Sequence, residues 1–195
     1  MSDLRSQLLT LLAKQSVCYG DFTLVSGRKS DFYVDSKQTT LDPRSALLVG
    51  KVGWNLIQNQ TRTRGLTVAA LGGLTMGADP IALAVGMAAA SDHPEKPSPI
   101  QVFNVRKAAK AHGRTRLIEG NFSPGSTVVV VDDVITTGGS TLQAIDAIEA
   151  EGGKVAFALV LVDRQEGGRE AIEARGVPVV SIFTRREIDA VAKPR

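Results

Sequence analysis

One continuous segment, residues 128–141, constrains the fold of this 195-residue chain more than any other part of the sequence. Its four consecutive valines are typical of a strand buried on both faces of a parallel sheet. Asp132 and Asp133 follow the valines, and a loop of Thr, Gly and Ser over residues 136–140 leads toward a helix. Open α/β sheets bind ligands beyond the carboxyl ends of their strands, so the segment predicts an α/β protein with a ligand site there.

The residue types in this segment indicate which ligand groups it would bind. Backbone N–H groups and hydroxyls at the positive end of a helix suit a phosphate group. Two adjacent carboxylates suit sugar hydroxyls or a divalent cation. The lysine of a P-loop and the glycine spacing of a dinucleotide-binding motif are both missing. The competing interpretation is that the acids merely end a strand and the Thr-Thr-Gly-Gly run merely caps a helix.

Strand-like and helix-like segments alternate along the chain, which predicts a mainly parallel sheet because helix-length crossovers join parallel strands. The predicted strands span residues 22–24, 32–34, 67–71, 100–103, 127–131, 155–162 and 179–183. The predicted helices span residues 4–12, 42–60, 76–90, 139–151 and 169–175, with Asp42 as N-cap and Pro43 at the first helical position. We expect a single domain over residues 1–195.

The positive charge of the chain is concentrated in one segment. The formal net charge is +3, but without five basic residues of the 105–117 segment the chain would carry 18 basic against 20 acidic residues. These five are Arg106, Lys107, Lys110, Arg114 and Arg116. Three of them are spaced by four, which would stack like charges on a helix, so we expect a loop that moves until it meets an anion.

Cysteine content and hydropathy limit the location of the protein. A single cysteine, Cys18, rules out an intrachain disulfide and a site made of several thiolates. The longest stretch of low charge, residues 80–90, is shorter than the ~20 residues needed to cross a bilayer. The first residues also lack the pattern of a secretory signal. We therefore expect a cytoplasmic protein without a membrane contact.

Residues 128–141 resemble the phosphoribosyl diphosphate (PRPP) binding signature of type I phosphoribosyltransferases. Three further segments, residues 22–30, 106–113 and 163–167, make the chain similar to the orotate phosphoribosyltransferases, and the four occur in that family's order. The similarity extends from about Leu8 to Phe183. It implies the type I phosphoribosyltransferase fold, a central, mainly parallel sheet flanked by helices, with a small N-terminal hood. The hood is made of residues 1–40, approximately, plus C-terminal elements.

The resemblance also implies a reaction, in which PRPP and orotate with Mg²⁺ give orotidine 5′-monophosphate and pyrophosphate in pyrimidine biosynthesis. It implies that Asp132 and Asp133 bind the ribose hydroxyls, with Mg²⁺ carried by PRPP near them, and that the loop holds the 5-phosphate. The implied PRPP-binding residues are Arg106, Lys107, Lys110, His112, Asp132, Asp133, Val134, Ile135, Thr136, Thr137, Gly138, Gly139 and Ser140. The implied catalytic residues are Lys107, Lys110, His112, Asp132 and Asp133. The basic loop would reach the site of a neighbouring subunit in a homodimer.

The orotate side of the site is implied by the same resemblance. The residues are Arg28, Tyr33, Val34, Thr136 and Arg164. A guanidinium offers donors to carbonyl and carboxylate oxygens, which suits a negatively charged base. The chain departs from some relatives at Val25 and Met76, where those relatives carry lysine, so the side chains that assist pyrophosphate binding there stay open.

Two other functions fit parts of the sequence. A phosphoribosyltransferase for a purine or for uracil would share the 132–140 segment but would have no need of Arg28 and Arg164 together. A regulator that senses PRPP and binds nucleic acid through its basic loop would usually need a larger basic surface. Because the charge outside that loop is negative, we expect small-molecule substrates and no nucleic acid.

Overall fold

A computed structural model describes residues 2–23, 29–92, 94–95, 97–108 and 117–192 of the chain. Over these residues the strands are β1 (Val17–Thr23), β2 (Lys29–Val34), β3 (Ala70–Leu74), β4 (Gln101–Val105), β5 (Ile118–Gly120), β6 (Thr127–Ile135), β7 (Lys154–Asp163) and β8 (Val179–Thr184). The helices are α1 (Ser2–Gln15), α2 (Lys37–Thr40), α3 (Pro43–Arg64), α4 (Ala78–Asp92), α5 (Gly139–Ala150), α6 (Gly168–Glu173) and α7 (Arg185–Ala192).

The central sheet has the strand order β5-β4-β3-β6-β7-β8, and only the β4–β5 pair in it is antiparallel. Successive residues of β6 face opposite sides of this sheet, as strand geometry requires. Val129 and Val131 pack in the cluster formed with α1, α3 and α4, whereas Val128 and Val130 pack in the cluster formed with α5 and α6. The predicted mainly parallel sheet flanked by helices is therefore confirmed.

Helix α3 begins where its sequence indicates and ends four residues later than predicted, at Arg64. The Asp42 carboxylate accepts a hydrogen bond from the Ser45 N–H at 2.9 Å, and Pro43 takes the first position. Its C-cap is Gly65, whose φ of +62° is a left-handed conformation that favours glycine.

Several boundaries differ from the sequence predictions. Strand β6 continues through both aspartates to Ile135, so the acids lie inside the paired strand and not after it. Strand β3 lies three residues later than predicted, because it includes Gly72 and Gly73. Both glycines lie close to neighbouring backbone: a Cβ at Gly72 would lie 2.0 Å from the Phe103 carbonyl oxygen, and a Cβ at Gly73 would lie 1.9 Å from the Val131 carbonyl oxygen. The short elements α2 and β5 and the C-terminal helix α7 were not predicted.

Strands β1 and β2 form a separate antiparallel pair that contacts α7. The Tyr19 hydroxyl donates to Asp189 at 2.7 Å, and Arg185 forms an ion pair with Asp31 at 3.2 Å. From α1, Arg5 donates to the carbonyl oxygen of Ile182 at 2.7 Å. The N-terminal elements of the hood are thus tied to the C-terminal end of the chain.

Candidate active site

Asp132 is a buried carboxylate that faces α5. Only 4% of the residue is exposed, its Oδ2 accepts from the Thr141 hydroxyl at 2.6 Å, and its Oδ1 accepts from the Asp133 N–H at 3.0 Å. Burial raises the pKa of Asp132 to about 7, because a charged carboxylate loses hydration there, and the neighbouring Asp133 charge adds to the rise. The hydrogen bond from Thr141 acts in the opposite direction.

Asp133, the next residue, faces the hood. Its Oδ1 accepts from the Val134 N–H at 2.9 Å, and its Oδ2 accepts a short hydrogen bond from the Ser36 hydroxyl. Gly77 packs directly against the carboxylate: a Cβ at that position would lie 2.5 Å from Oδ1. The two neighbouring acids therefore meet different parts of the molecule: Asp132 contacts α5, and Asp133 contacts the hood.

The loop after β6 presents polar groups at the start of α5. Thr137, Gly139 and Ser140 are exposed, and Thr136 is half-buried. Gly138, with a φ of +82°, is the N-cap of α5, and its carbonyl oxygen accepts from the Leu142 N–H. The free N–H groups of a helix N-terminus and the hydroxyls beside them suit a phosphate.

Val134 and Ile135 differ from the other predicted PRPP-binding residues. Both lie within β6, where Val134 is half-buried and Ile135 is 1% exposed and belongs to the core. They can contribute backbone groups and packing, but no polar side-chain group.

A cavity of about 340 Å³ lies over the acid pair. It falls within the range of small-molecule sites, roughly 300–1,000 Å³. Its lining also includes Ser140, Lys107, Lys37, Leu74 at the end of β3 and residues 75–77 of the loop that leads to α4. The arrangement brings two carboxylates, two hydroxyls and two ammonium groups around one space.

The start of the basic segment lies at this cavity. Lys107 lines it, and the Lys107 carbonyl oxygen accepts from Gln143 on α5 at 3.2 Å. Arg106 forms an ion pair with Glu119 at 3.1 Å. Lys110, His112 and the other two basic residues lie outside the described residues, as does Arg28.

Arg164 follows β7 and is 5% exposed. Its Nη2 lies 2.9 Å from the Ser30 hydroxyl, 3.2 Å from the Phe32 carbonyl oxygen and 2.8 Å from the Glu166 carboxylate. Its buried Nε has no hydrogen-bond partner among the described residues. An unsatisfied buried donor costs about 1–3 kcal/mol, so this guanidinium is suited to donate a hydrogen bond to a ligand oxygen.

The Phe32 ring contacts two guanidinium groups, and the Phe32 carbonyl oxygen accepts a hydrogen bond from one of them, that of Arg164. Its buried ring centroid is 5.6 Å from Arg164 and 3.9 Å from Arg185. Tyr33, predicted beside the base, follows it on β2, is 44% exposed and packs on Phe22; Val34 is half-buried. The sequence analysis missed Phe32 because two adjacent aromatic residues do not reveal which one faces inward. It also missed Ser30, Ser36, Lys37 and Glu166.

The two ligand-facing loops pack closely at the ends of β6 and β7. In the β6–β7 register Ile135 pairs with Asp163, and the Arg164 N–H donates to the Ile135 carbonyl oxygen at 3.0 Å. A Cβ at Gly168 would lie 2.7 Å from the Thr136 carbonyl oxygen. Asp163 holds the second loop, since it accepts from the Gln165 N–H and from Arg169, each at 2.8 Å. Arg164 therefore lies directly beside Thr136.

Comparison with known proteins identifies this arrangement. Residues 86–183 match the phosphoribosyl transferase domain model. The orotate phosphoribosyltransferase of Aquifex aeolicus is 42% identical over 187 residues, which cover 94% of this chain and 97% of that one. This chain belongs to the orotate phosphoribosyltransferase family. The matched range includes the acid pair, the loop of residues 136–140 and Arg164.

Solved structures of the family have the same fold. The Mycobacterium tuberculosis orotate phosphoribosyltransferase in complex with Fe(III) dicitrate superimposes with a TM-score of 0.78 at 40% identity, covering 95% of this chain and 98% of that one. The structure of the same enzyme in complex with PRPP gives 0.74 at 36% identity with the same coverage. The type I phosphoribosyltransferase fold predicted from the sequence is confirmed.

Proposed function

We propose that this protein transfers the phosphoribosyl group of PRPP to orotate, giving orotidine 5′-monophosphate and pyrophosphate in pyrimidine biosynthesis. The bond between the ribosyl carbon and the pyrophosphate oxygen breaks, that carbon forms a bond to a ring nitrogen of orotate, and the proton of that nitrogen is released to solvent. The observation that carries the proposal is the β6–β7 register, which brings the buried Arg164 beside the phosphate-type loop at Thr136. The family membership of the chain supports the same reaction.

Each group of the site has a role in this reaction. The acid pair accepts hydrogen bonds from the ribose hydroxyls, and residues 136–140 hold the 5-phosphate. Arg164 donates to orotate through the Nε that has no partner among the described residues. The basic segment, with Arg106, Lys107, Lys110 and His112, binds the pyrophosphate, whose charge grows as the bond breaks, so these donors stabilise the transition state most.

The acid pair fits the Mg²⁺ that the family's substrate implies. Mg²⁺ prefers carboxylate, phosphate and water oxygens, and usually takes one or two carboxylates together with substrate phosphates. Asp133 borders the cavity and is the better ligand, because Asp132 is almost fully buried. Bound Mg²⁺ would neutralise charge on the pyrophosphate.

We further propose a cytoplasmic homodimer in which each basic loop serves the neighbouring site. An exposed apolar groove beside the cavity supports a subunit contact; it contains Leu41, Met76, Pro80 and Leu83. None of the described helices is both long and apolar enough to span a bilayer. Mixing inactive Lys110→Ala and Asp132→Asn proteins should restore part of the activity through hybrid dimers. No recovery, after subunit exchange is verified, would exclude loop sharing.

The test of the reaction is a spectrophotometric assay of orotate consumption with PRPP and Mg²⁺, run beside uracil, adenine and hypoxanthine. Of the four bases, we expect turnover only of orotate, because the buried guanidinium favours a base that carries a carboxylate. Turnover of another base without turnover of orotate would refute the proposal. The Asp132→Asn protein, assayed in parallel, controls for a contaminating enzyme.

A further inference from the structure

Lys37, the first residue of α2, is a cationic group at the site that lies outside the basic loop. Lys37 lines the cavity over the acid pair, together with Met76 and Gly77. We propose that Lys37 binds the pyrophosphate group of PRPP from the hood side of the site. This inference rests on the proposed function, and it assigns a residue that the sequence analysis did not name.

The position of Lys37 is fixed by buried contacts on both sides of it. The preceding residue, Ser36, is 2% exposed and donates its hydroxyl to Asp133. Two residues further on, the buried Thr39 shares a 2.6 Å hydrogen bond with the hydroxyl of Ser16. Because α2 is held at both points, the backbone of Lys37 stays beside the carboxylate that borders the cavity.

The charges around the cavity call for a cation at this point. Its lining includes two carboxylates, and a pyrophosphate brought next to them needs compensating positive charge. Lys107 and Lys37 are the basic residues among the described residues of that lining. Met76, on the loop between β3 and α4, supplies no charge there.

The ammonium group of Lys37 is weakly committed within the protein. Its ion pair with Asp35 has an N–O distance of 4.0 Å, and the two side chains are 48% and 36% exposed. Exposed pairs of this kind contribute little, so the ammonium can turn to a phosphate oxygen at small cost. A charge-assisted hydrogen bond to pyrophosphate is stronger than the pair it replaces.

The experiment compares three ligands, PRPP, inorganic pyrophosphate and ribose 5-phosphate, by isothermal titration calorimetry with Mg²⁺ on the full chain. In Lys37→Met we expect the Kd for PRPP and for pyrophosphate to rise about tenfold or more. The Kd for ribose 5-phosphate should change less than about twofold, because it lacks the group that Lys37 binds. Lys37→Arg should retain most of the affinity, since it keeps the charge.

The matched control is Lys51→Met, which removes an exposed lysine from α3 away from the cavity and should bind all three ligands like the wild type. Unchanged PRPP affinity in Lys37→Met, or an equal loss for PRPP and ribose 5-phosphate, would overturn the inference. The wild-type protein distinguishes a failure of the Lys37 inference from a failure of the proposed reaction. If the wild type binds PRPP but does not consume orotate, the proposed reaction is refuted while the Lys37 assignment stands.

Discussion

The two halves of the active site are built in different ways. The phosphate half, with the acid pair and residues 136–140, comes from one strand, one loop and one helix that follow each other directly. The base half joins Arg164 to Ser30 and Phe32, which lie more than 130 positions earlier in the chain. The first half is a local structure held by the sheet, whereas the second exists only when the hood is packed on the body.

Arg164 is the residue that connects the two halves. Its backbone N–H donates to the Ile135 carbonyl oxygen at the end of β6, and its guanidinium contacts β2 of the hood. A change at Arg164 should therefore damage the base half most, while the phosphate half keeps its own hydrogen bonds.

Arg164→Leu should have the largest effect. It removes the charge-assisted hydrogen bond that we propose between the Arg164 Nε and orotate, which contributes about 1.5–3 kcal/mol, so kcat/KM for orotate should fall by roughly 100-fold. The Kd for PRPP should change little, because the phosphate half is intact. Steady-state kinetics and calorimetry measure the two separately, and Arg186→Leu, an exposed arginine close by, is the control. Equal losses for both substrates would show that the halves are not separable.

Asp132→Asn should act on the phosphate half. The loss of a charged acceptor for ribose hydroxyls should weaken PRPP binding by about 10- to 100-fold.

The same substitution should alter the pH dependence of stability. Since burial raises the pKa of Asp132 to about 7, the folded state holds a proton that the unfolded state has released, and unfolding becomes easier as the pH rises from about 4 to 7.

The Asn variant should lack this pH-dependent destabilisation of the folded state, which is of the order of a few kcal/mol. Asp132→Asn should therefore be more stable than the wild type at pH 8, and the difference should shrink toward pH 5. Denaturant unfolding at several pH values measures it. Asp146→Asn, on the exposed side of α5, should keep the wild-type slope. A variant less stable than the wild type at pH 8 would contradict the assigned cause of the pKa shift.

The same contrast explains how much of the site the sequence could predict. The phosphate half was predictable because its strand, acids, loop and helix are contiguous, and each residue type has a local physical reason. Arg164 was implied by the resemblance to the family, and the β6–β7 register brings it to the loop.

The base half was less predictable because its contacts come from tertiary packing. Phe32 and Tyr33 are adjacent in β2, so only the packed structure shows that Phe32 is the buried one. Ser36 precedes the one-turn helix α2, and Lys37 is its first residue. A helix this short has no hydrophobic periodicity from which either residue could be predicted. The assignment of Lys110 and His112 to the pyrophosphate stays a prediction.

Gly77→Ala should test how closely the loop after β3 approaches the acid pair. The added methyl group would lie 2.5 Å from an oxygen of Asp133, so the carboxylate must move. We expect the Kd for PRPP to rise about tenfold, the value of one hydrogen bond to a charged group. Gly20→Ala, whose Cβ would meet its nearest atom at an ordinary 3.7 Å, is the control and should bind PRPP normally. Normal PRPP affinity in Gly77→Ala would mean that Asp133 does not need its observed position.

Ser36→Ala should give the smallest effect, and it tests the hydrogen bond by which Ser36 of the hood contacts the acid pair. Without that hydroxyl, Asp133 keeps the Val134 N–H but loses the donor that orients its second oxygen. A hydrogen bond of this kind contributes about 1 kcal/mol, so the Kd for PRPP should rise roughly fivefold. The melting temperature should fall by about 2–4 °C. Ser91→Ala, an exposed serine at the end of α4, should change neither value. If Ser36→Ala lowers the melting temperature but leaves PRPP affinity unchanged, the hood supports the fold without orienting Asp133, and the two halves of the site meet only at Arg164.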